Sequence, residues 1–248
     1  MTPTKLLYLE DFNLLTFEAA VVDALEENGK TIVILDRTAF YPQGGGQPYD
    51  KGILESPQAR FLVEEVRFVD GLVKHIGQFD HDSFRKEESI KGTIEKARRD
   101  LHSRLHSAGH VVDMAVTTLN LNWIPGKGYH FPEGPYVEYA GSLNGLDKQQ
   151  LKTDIENLCN KFVREGRATK LLFMNKEEMQ SVCRFVPDYI PEGKPGRVVM
   201  YGDFGVPCGG THVSNLSEIQ QMTIRKVKAE GAHIRVGYDI SRADKIVL

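Results

Sequence analysis

The sequence predicts an α+β protein: a small glycine-rich β-barrel over residues 1–85, followed by an α+β unit over residues 86–248 that carries a metal-type ligand set. Three observations predict it. Short β-branched or alternating runs at Thr31–Leu35, Phe61–Val69 and Leu72–Ile76 are punctuated by Asn28-Gly29 and Asp70-Gly71, dipeptides that accept the positive φ angles of two-residue hairpin turns. Glu95–Leu121 contains no Pro and a single Gly, and Leu101, Leu105, Ala108, Val112, Ala115 and Leu119 recur at threes and fours, the spacing of a helix buried on one face. Two separated pairs, His106-Ser-Ala-Gly-His110 and Cys208-Gly-Gly-Thr-His212, offer imidazole and thiolate to one ion.

Taken in order, the first unit reads as strands joined by tight turns, the arrangement of a small barrel. Within it, Phe40–Asp50 packs Gly44, Gly45 and Gly46 between two prolines and two glutamines. Such a stretch is either a flexible turn or a loop whose backbone N–H groups and Gln side chains contact a polar ligand. Asp80–Ser89 is polar and poor in β-branched residues, which places the junction between the units there. The long helix follows, then an aromatic, Gly/Pro-rich hairpin-like segment, Trp123–Gly141. Asp147 is a suitable N-cap and Gly166 a suitable stop for a second helix over Asp147–Glu165. Thr169–Phe173 reads as a strand and Lys176–Val182 as a short helix. Arg197–Tyr201 and Gln220–Lys228 alternate as strands, and the loop between them holds Gly205, Cys208, Gly209 and Gly210.

Residues four apart on a helix are neighbours on one face, so His106 and His110 present both imidazoles to one point. With Cys208 and His212 they form a complete tetrahedral set for Zn²⁺, one ion per chain. His102 stands one turn earlier and is open to three roles: third helix ligand, a group that holds a ligand in place, or phosphate contact. A zinc peptidase is excluded, because its general-base Glu would follow the first His and Ser107 stands there. Four protein ligands close the coordination shell, whereas catalytic zinc normally keeps an open position.

The 248 residues are 41% hydrophobic and 26% charged with a net charge of -3, values of ordinary globular chains. Three irregularly spaced cysteines do not form a disulfide framework, and a thiolate ligand persists best in a reducing compartment. A cytoplasmic location is the expectation. The first residues, Met1–Glu10, lack a secretory pattern and no apolar run approaches a membrane span.

Leu35-Asp36-Arg37-Thr38-Ala39-Phe40-Tyr41 leading into the triple glycine, then His-Ser-Ala-Gly-His, then Cys-Gly-Gly-Thr-His, resembles the editing module of alanyl-tRNA synthetase in order and spacing. Agreement extends to the closing Ile224–Tyr238. The chain has no room for an aminoacylation domain, and so is similar to the free-standing AlaX-type alanyl-tRNA editing proteins of the longer class. Threonyl-tRNA synthetase editing domains are similar in zinc pattern but lack the barrel. One departure is Gly109, where the synthetase form commonly has Thr.

The resemblance implies hydrolysis of the 3′-aminoacyl ester of mischarged tRNA(Ala), Ser-tRNA(Ala) foremost and Gly-tRNA(Ala) as a further candidate. It also implies tRNA, and neither DNA nor a membrane, as partner. An apolar pocket rejects an added hydroxyl by only about 100-fold, so a second site that binds the hydroxyl is the natural remedy. Candidate substrate contacts are Gly44, Gly45, Gly46, Gln47, Ser107 and Thr211. Two roles for the metal stay open, polarising a water or orienting the substrate, and no general base stands out. The competing class is a zinc-stabilised tRNA-binding or regulatory module without hydrolytic activity.

An acidic chain must bind RNA through local basic surface. Lys96, Arg98, Arg99 and Arg104 around the long helix, and Arg225, Lys226, Lys228 and Arg235 near the closing strands, are candidates. Tyr129, His130, Phe131 and Tyr136 suit either base stacking or an aromatic minicore.

Overall fold

A computed structural model of the chain describes residues 1–188, 190 and 195–241. Two compact units divide at Leu101/His102. The first contains β1 (Lys5–Leu6), β2 (Thr16–Glu27), β3 (Lys30–Leu35), β4 (Arg37–Thr38), β5 (Gly52–Glu55), β6 (Arg60–Val69), β7 (Leu72–His81) and β8 (Ser89–Ile94). The helix α1 (Lys96–Thr118) begins at the end of this unit and continues into the second.

β2, β3, β7, β6, β5 and β8 close into a barrel in that order. Both hairpin dipeptides behave as the sequence predicts: Asn28 and Gly29 have φ of 54° and 71°, and Asp70 and Gly71 of 49° and 80°, the left-handed values such turns need. The barrel extends past the polar stretch assigned to the junction, because β8 pairs with both β2 and β5 and closes the sheet. Gly92 on β8 is glycine for a packing reason, since a Cβ there would stand 2.3 Å from the Phe17 ring. Inward residues such as Phe17, Val33, Leu35, Phe40, Leu54, Phe61 and Val73 fill the interior.

Arg99 and Asp50 form a buried ion pair in this unit, exposed by only 2% and 0%. The Arg99 guanidinium also donates to the carbonyls of Phe12 and Ala39 at 2.8 and 2.7 Å. A buried charge is tolerated only when its hydrogen bonds are satisfied this fully. Asp50 in turn accepts the Tyr41 N–H at 2.7 Å, which closes the base of the Phe40–Asp50 loop. Tyr41 Oη donates to the Gly44 carbonyl at 2.9 Å, and Gln47 N–H donates to the same carbonyl at 2.8 Å. The triple-glycine segment is thus an internally bonded turn in which Gly45 and Gly46 have φ of 52° and 77°.

The second unit adds β9 (Ile124–Tyr129), β10 (Tyr136–Ala140), α2 (Lys148–Glu165), β11 (Thr169–Met174), α3 (Lys176–Val182), β12 (Gly196–Tyr201), β13 (Phe204–Pro207), β14 (Met222–Glu230) and β15 (His233–Ile240). One sheet runs β14-β15-β10-β9 and another β11-β12-β13. The Asp147 side chain accepts from the N–H groups of Gln149 and Gln150, and Gly166 ends α2 with φ 64°, so both caps of α2 are where the sequence puts them. Glu156 and Asn160, one turn apart on α2, bond the backbone of β14 at Ile224 and Met222, which satisfies an edge that would otherwise invite pairing. The region between Arg197–Tyr201 and Gln220–Lys228 is more than a loop: β13 pairs back on β12 before Cys208 is reached. Among the described residues no helix is long and apolar enough to cross a membrane.

Candidate metal centre

Helical periodicity places His106 and His110 one turn apart on the buried face of α1, with ring centroids 5.0 Å from each other. The segment after β13 supplies Cys208 and His212. The His212 ring lies 4.7 Å from that of His106 and 5.2 Å from that of His110. One ligand atom from each of the four residues can be chosen so that all lie within 4.8 Å of one another. Cys208 Sγ and His106 Nε2 are 3.4 Å apart. A tetrahedral zinc shell has ligand–ligand edges of about 3.3–3.6 Å, so this pair already stands at coordinating distance.

The surroundings fix which nitrogens would face an ion. Tyr201 Oη donates to Ser107 Oγ at 3.4 Å and lies 3.1 Å from His212 Nδ1; with the hydroxyl proton so engaged, Nδ1–H is the donor and Nε2 keeps the lone pair. Asp113 brings a carboxylate oxygen to 3.6 Å from His110 Nδ1 and accepts the Tyr139 hydroxyl at 2.5 Å. His110 Nε2 is buried and makes no conventional hydrogen bond. An orphaned buried ring nitrogen is costly, and a shared cation is the economical explanation when an imidazole and a thiolate converge beside it. The donor set therefore fits Zn²⁺.

The three cysteines differ in the same sense. Burial raises the Cys159 thiol well above its ordinary range and pushes Cys183 up to about 11. Burial also acts upward on half-buried Cys208, but the neighbouring His110 imidazole, the Gly210 N–H at 3.4 Å and Arg197 outweigh it and lower the thiol. His110 is opposed by burial and nevertheless raised to about 9 by Asp113 and Cys208. His106 and His212 are held well below the usual imidazole range, by burial first and by neighbouring cations next. Metal binding to imidazole and thiolate ligands requires their deprotonated forms and so competes with protons.

Arg197, Tyr201, Asp113 and Tyr139 escape a motif search. Arg197 is the second residue of β12, is buried, and donates to the Gly210 carbonyl at 2.7 Å while its own carbonyl accepts the Cys208 N–H at 3.2 Å. Its signal in the sequence is a single cation at the head of the apolar run Arg-Val-Val-Met-Tyr. His102 is buried on α1 but stands outside the group of four. Ser107 and Thr211 are fully buried. Ser107 Oγ accepts the Val213 N–H at 3.1 Å, and Thr211 Oγ1 is 2.7 Å from Ser103 Oγ. Gly44–Gln47 belong to the first unit.

Most of the candidate RNA-binding cations have structural partners. Arg99 is the buried ion pair described above, Lys96 pairs with Asp100, Arg104 donates to the carbonyls of Ile219 and Ser241, and Arg225 to those of Tyr238 and Pro135. Lys228 pairs with Glu230, and Arg235 with Glu138. Tyr129 stacks on Phe131 and on Tyr136, with planes 17° apart in each pair, and Arg235 covers the Tyr136 ring.

Residues 8–98 match the family described as class II (A) tRNA synthetases, and residues 197–235 match the second additional domain of threonyl and alanyl tRNA synthetases. The latter match includes Cys208 and His212. Over 242 residues the chain is 29% identical to an alanine–tRNA ligase of Methanobrevibacter smithii, covering 91% of this chain and 25% of the ligase. It is 30% identical over 240 residues to that of Halobacterium salinarum, covering 89% and 24%. The ligase of Archaeoglobus fulgidus is 31% identical over 230 residues, covering 91% and 24%. The chain thus spans about a quarter of the length of these curated relatives.

A β-barrel and a second-additional-domain unit with converging His and Cys side chains define a class of tRNA-synthetase-related proteins. Within it, the chain is similar to AlaX-like editing proteins, through its match to part of the alanine–tRNA ligases.

Proposed function

We propose that the chain is a trans-editing hydrolase that deacylates mischarged tRNA(Ala), Ser-tRNA(Ala) first and Gly-tRNA(Ala) second, by hydrolysing the 3′-aminoacyl ester in the cytoplasm. The observation that carries this reading is the convergence of His106, His110, Cys208 and His212 in a chain related to alanine–tRNA ligases across nine-tenths of its length. These four residues would hold one Zn²⁺, which when bound supplies a Lewis acid to polarise or orient an oxygen or amine. The four-residue set fills a tetrahedral shell, which favours orientation of the aminoacyl group.

An aminoacyl ester is already reactive, so positioning contributes most of what the site must supply. Tyr201 and Asp113 hold the rings of His212 and His110, and burial of the group excludes bulk water from its flanks. Substrate binding is assigned to Gly44, Gly45, Gly46, Gln47, Ser107 and Thr211. For Ser107 and Thr211 this requires each buried hydroxyl to exchange an internal partner for the substrate's. The closed internal bonding of the glycine turn supports a pre-ordered contact loop in place of a floppy one, which lowers the ordering cost of binding.

The test incubates the protein with Ser-tRNA(Ala), Gly-tRNA(Ala) and Ala-tRNA(Ala) and follows ester loss, with Cys208→Ala alongside. Loss of the seryl ester at least about 100-fold faster than the alanyl ester is expected, with Cys208→Ala inactive. Equal slow loss in every tube would leave a zinc-stabilised tRNA-binding module as the better reading.

A further inference from the structure

His130 follows β9 and turns its ring inward onto His106. The two rings stack with centroids 4.4 Å apart and planes 19° apart. His130 Nδ1 lies 2.6 Å from Tyr238 Oη, and Tyr238 donates its hydroxyl to the Leu105 carbonyl at 2.9 Å. With the tyrosine proton so engaged, Nδ1–H is the donor to the tyrosine oxygen, and the ring is tied to the backbone of the residue that precedes His106.

Glycines flank this ring. A Cβ added at Gly109 would stand 2.5 Å from His130 Cε1, and one at Gly128 would stand 2.4 Å from His130 Nε2. Both distances are below any real contact, so a side chain at position 109 or 128 would force the His130 ring out of its present position. Neither glycine has a positive φ, so backbone conformation does not require glycine at either place. Glycine within a helix is unfavourable, and here its evident return is the space that His130 occupies. This also explains the departure at Gly109 noted in the sequence.

We propose that His130 is a positioning residue for His106: it stacks on that imidazole and holds the plane in which Nε2 faces Cys208 Sγ, and Gly109 and Gly128 are glycine to admit it. The proposal rests on the reading of the four residues as a metal site. Positioning partners of this kind typically change metal affinity by about 10–100-fold when removed.

The test measures Zn²⁺ affinity of the full chain by competition with a chromophoric chelator, and the visible absorption of the Co²⁺-loaded protein. His130→Ala is expected to weaken Zn²⁺ binding by about 10–100-fold and to alter the Co²⁺ spectrum, a signature that a merely packing role would not move. Gly109→Ala is expected to act alike by displacing the ring. The double variant is expected to bind no more weakly than His130→Ala alone, because the added methyl then enters vacated space. His130→Phe keeps a stacked ring without the tie to Tyr238 and is expected to retain most of the affinity, which guards against a folding failure of the alanine variant. Parent affinity and spectrum in both His130→Ala and His130→Phe, or additive losses in the double variant, would overturn the proposal while leaving the metal site standing. A parent chain that binds neither Zn²⁺ nor Co²⁺ would overturn both.

Discussion

The barrel and the second unit each bury histidine, and they account for it in opposite ways. His75, fully buried in the barrel, has Nδ1 3.0 Å from the Val33 carbonyl and Nε2 2.9 Å from Thr38 Oγ1. The carbonyl can only accept, so Nδ1 carries the proton and Nε2 accepts from Thr38. Nothing on that ring is left over. In the second unit the rings of His106, His110 and His212 crowd within 5.2 Å of one another beside a thiol, and His110 Nε2 is buried without a conventional hydrogen bond. Burial alone therefore does not mark a functional histidine; a buried ring nitrogen left over where several imidazoles and a thiol converge does.

Removing one member of the group should break the contrast most severely. His212→Ala is expected to reduce bound zinc from about one per chain to near zero, measured by elemental analysis after dialysis, and retained stoichiometric zinc would deny His212 its place. The barrel's counterpart is a pH effect. Burial lowers His75 from 6.5 to about 4, against the opposing Val33 hydrogen bond. Because the folded value is the lower one, the unfolded chain takes up the proton first. The contribution is fully present above about 6.5 and is lost as pH falls through about 4. The slope within that window is about 1.4 kcal/mol per pH unit and the total about 3 kcal/mol. Denaturant titrations from pH 7 to pH 4 should show this loss, and His75→Gln should flatten it; an unchanged slope would assign the acid sensitivity elsewhere.

A smaller effect tests the shell of His110. Asp113→Asn removes the charge that faces Nδ1 and is expected to weaken zinc binding by about 10–100-fold, read by chelator competition; parent affinity would make Asp113 a packing residue only. The smallest expected change in stability is at the glycine turn. Gly45 has a positive φ, whereas a Cβ at Gly44 meets nothing closer than 3.8 Å, so Gly44→Ala probes the loop without straining it. It is expected to shift stability by no more than about 0.5 kcal/mol while reducing the seryl over alanyl preference. An unaltered preference in the deacylation assay would remove the loop from substrate selection.

Much of this architecture was legible beforehand, and the gaps have physical causes. α1, α2 and α3 follow from periodicity and capping, and the two hairpins from Asn-Gly and Asp-Gly. β2 reads Thr-Phe-Glu-Ala-Ala-Val-Val-Asp-Ala-Leu-Glu-Glu, a run whose alanines and glutamates suit a helix as well as a strand; pairing with β3 and β8 decides it. β5 is four residues long and β8 carries a central glycine, so neither offers enough pattern to be read locally. The four candidate ligands are visible as two motifs, yet Asp113, Tyr139, Arg197 and Tyr201 carry no motif and His130 reads only as a stacking or minicore residue; apart from Asp113, one turn from His110 on α1, each acts on a partner remote in the chain.

The sequence by itself determined what depends on near neighbours. Spacing on one helix face put His106 beside His110, residue type selected imidazole and thiolate chemistry, and turn and cap residues set where elements start and stop. Only the tertiary structure decided what depends on distant partners. It brought Cys208 and His212 to the helix, made Arg99 a buried counter-ion of Asp50 instead of a candidate RNA contact, and gave Gly109 its reason in a ring twenty-one positions away. Backbone propensity and periodicity are local properties of a chain, whereas burial and hydrogen-bond satisfaction are settled only when remote segments pack against each other.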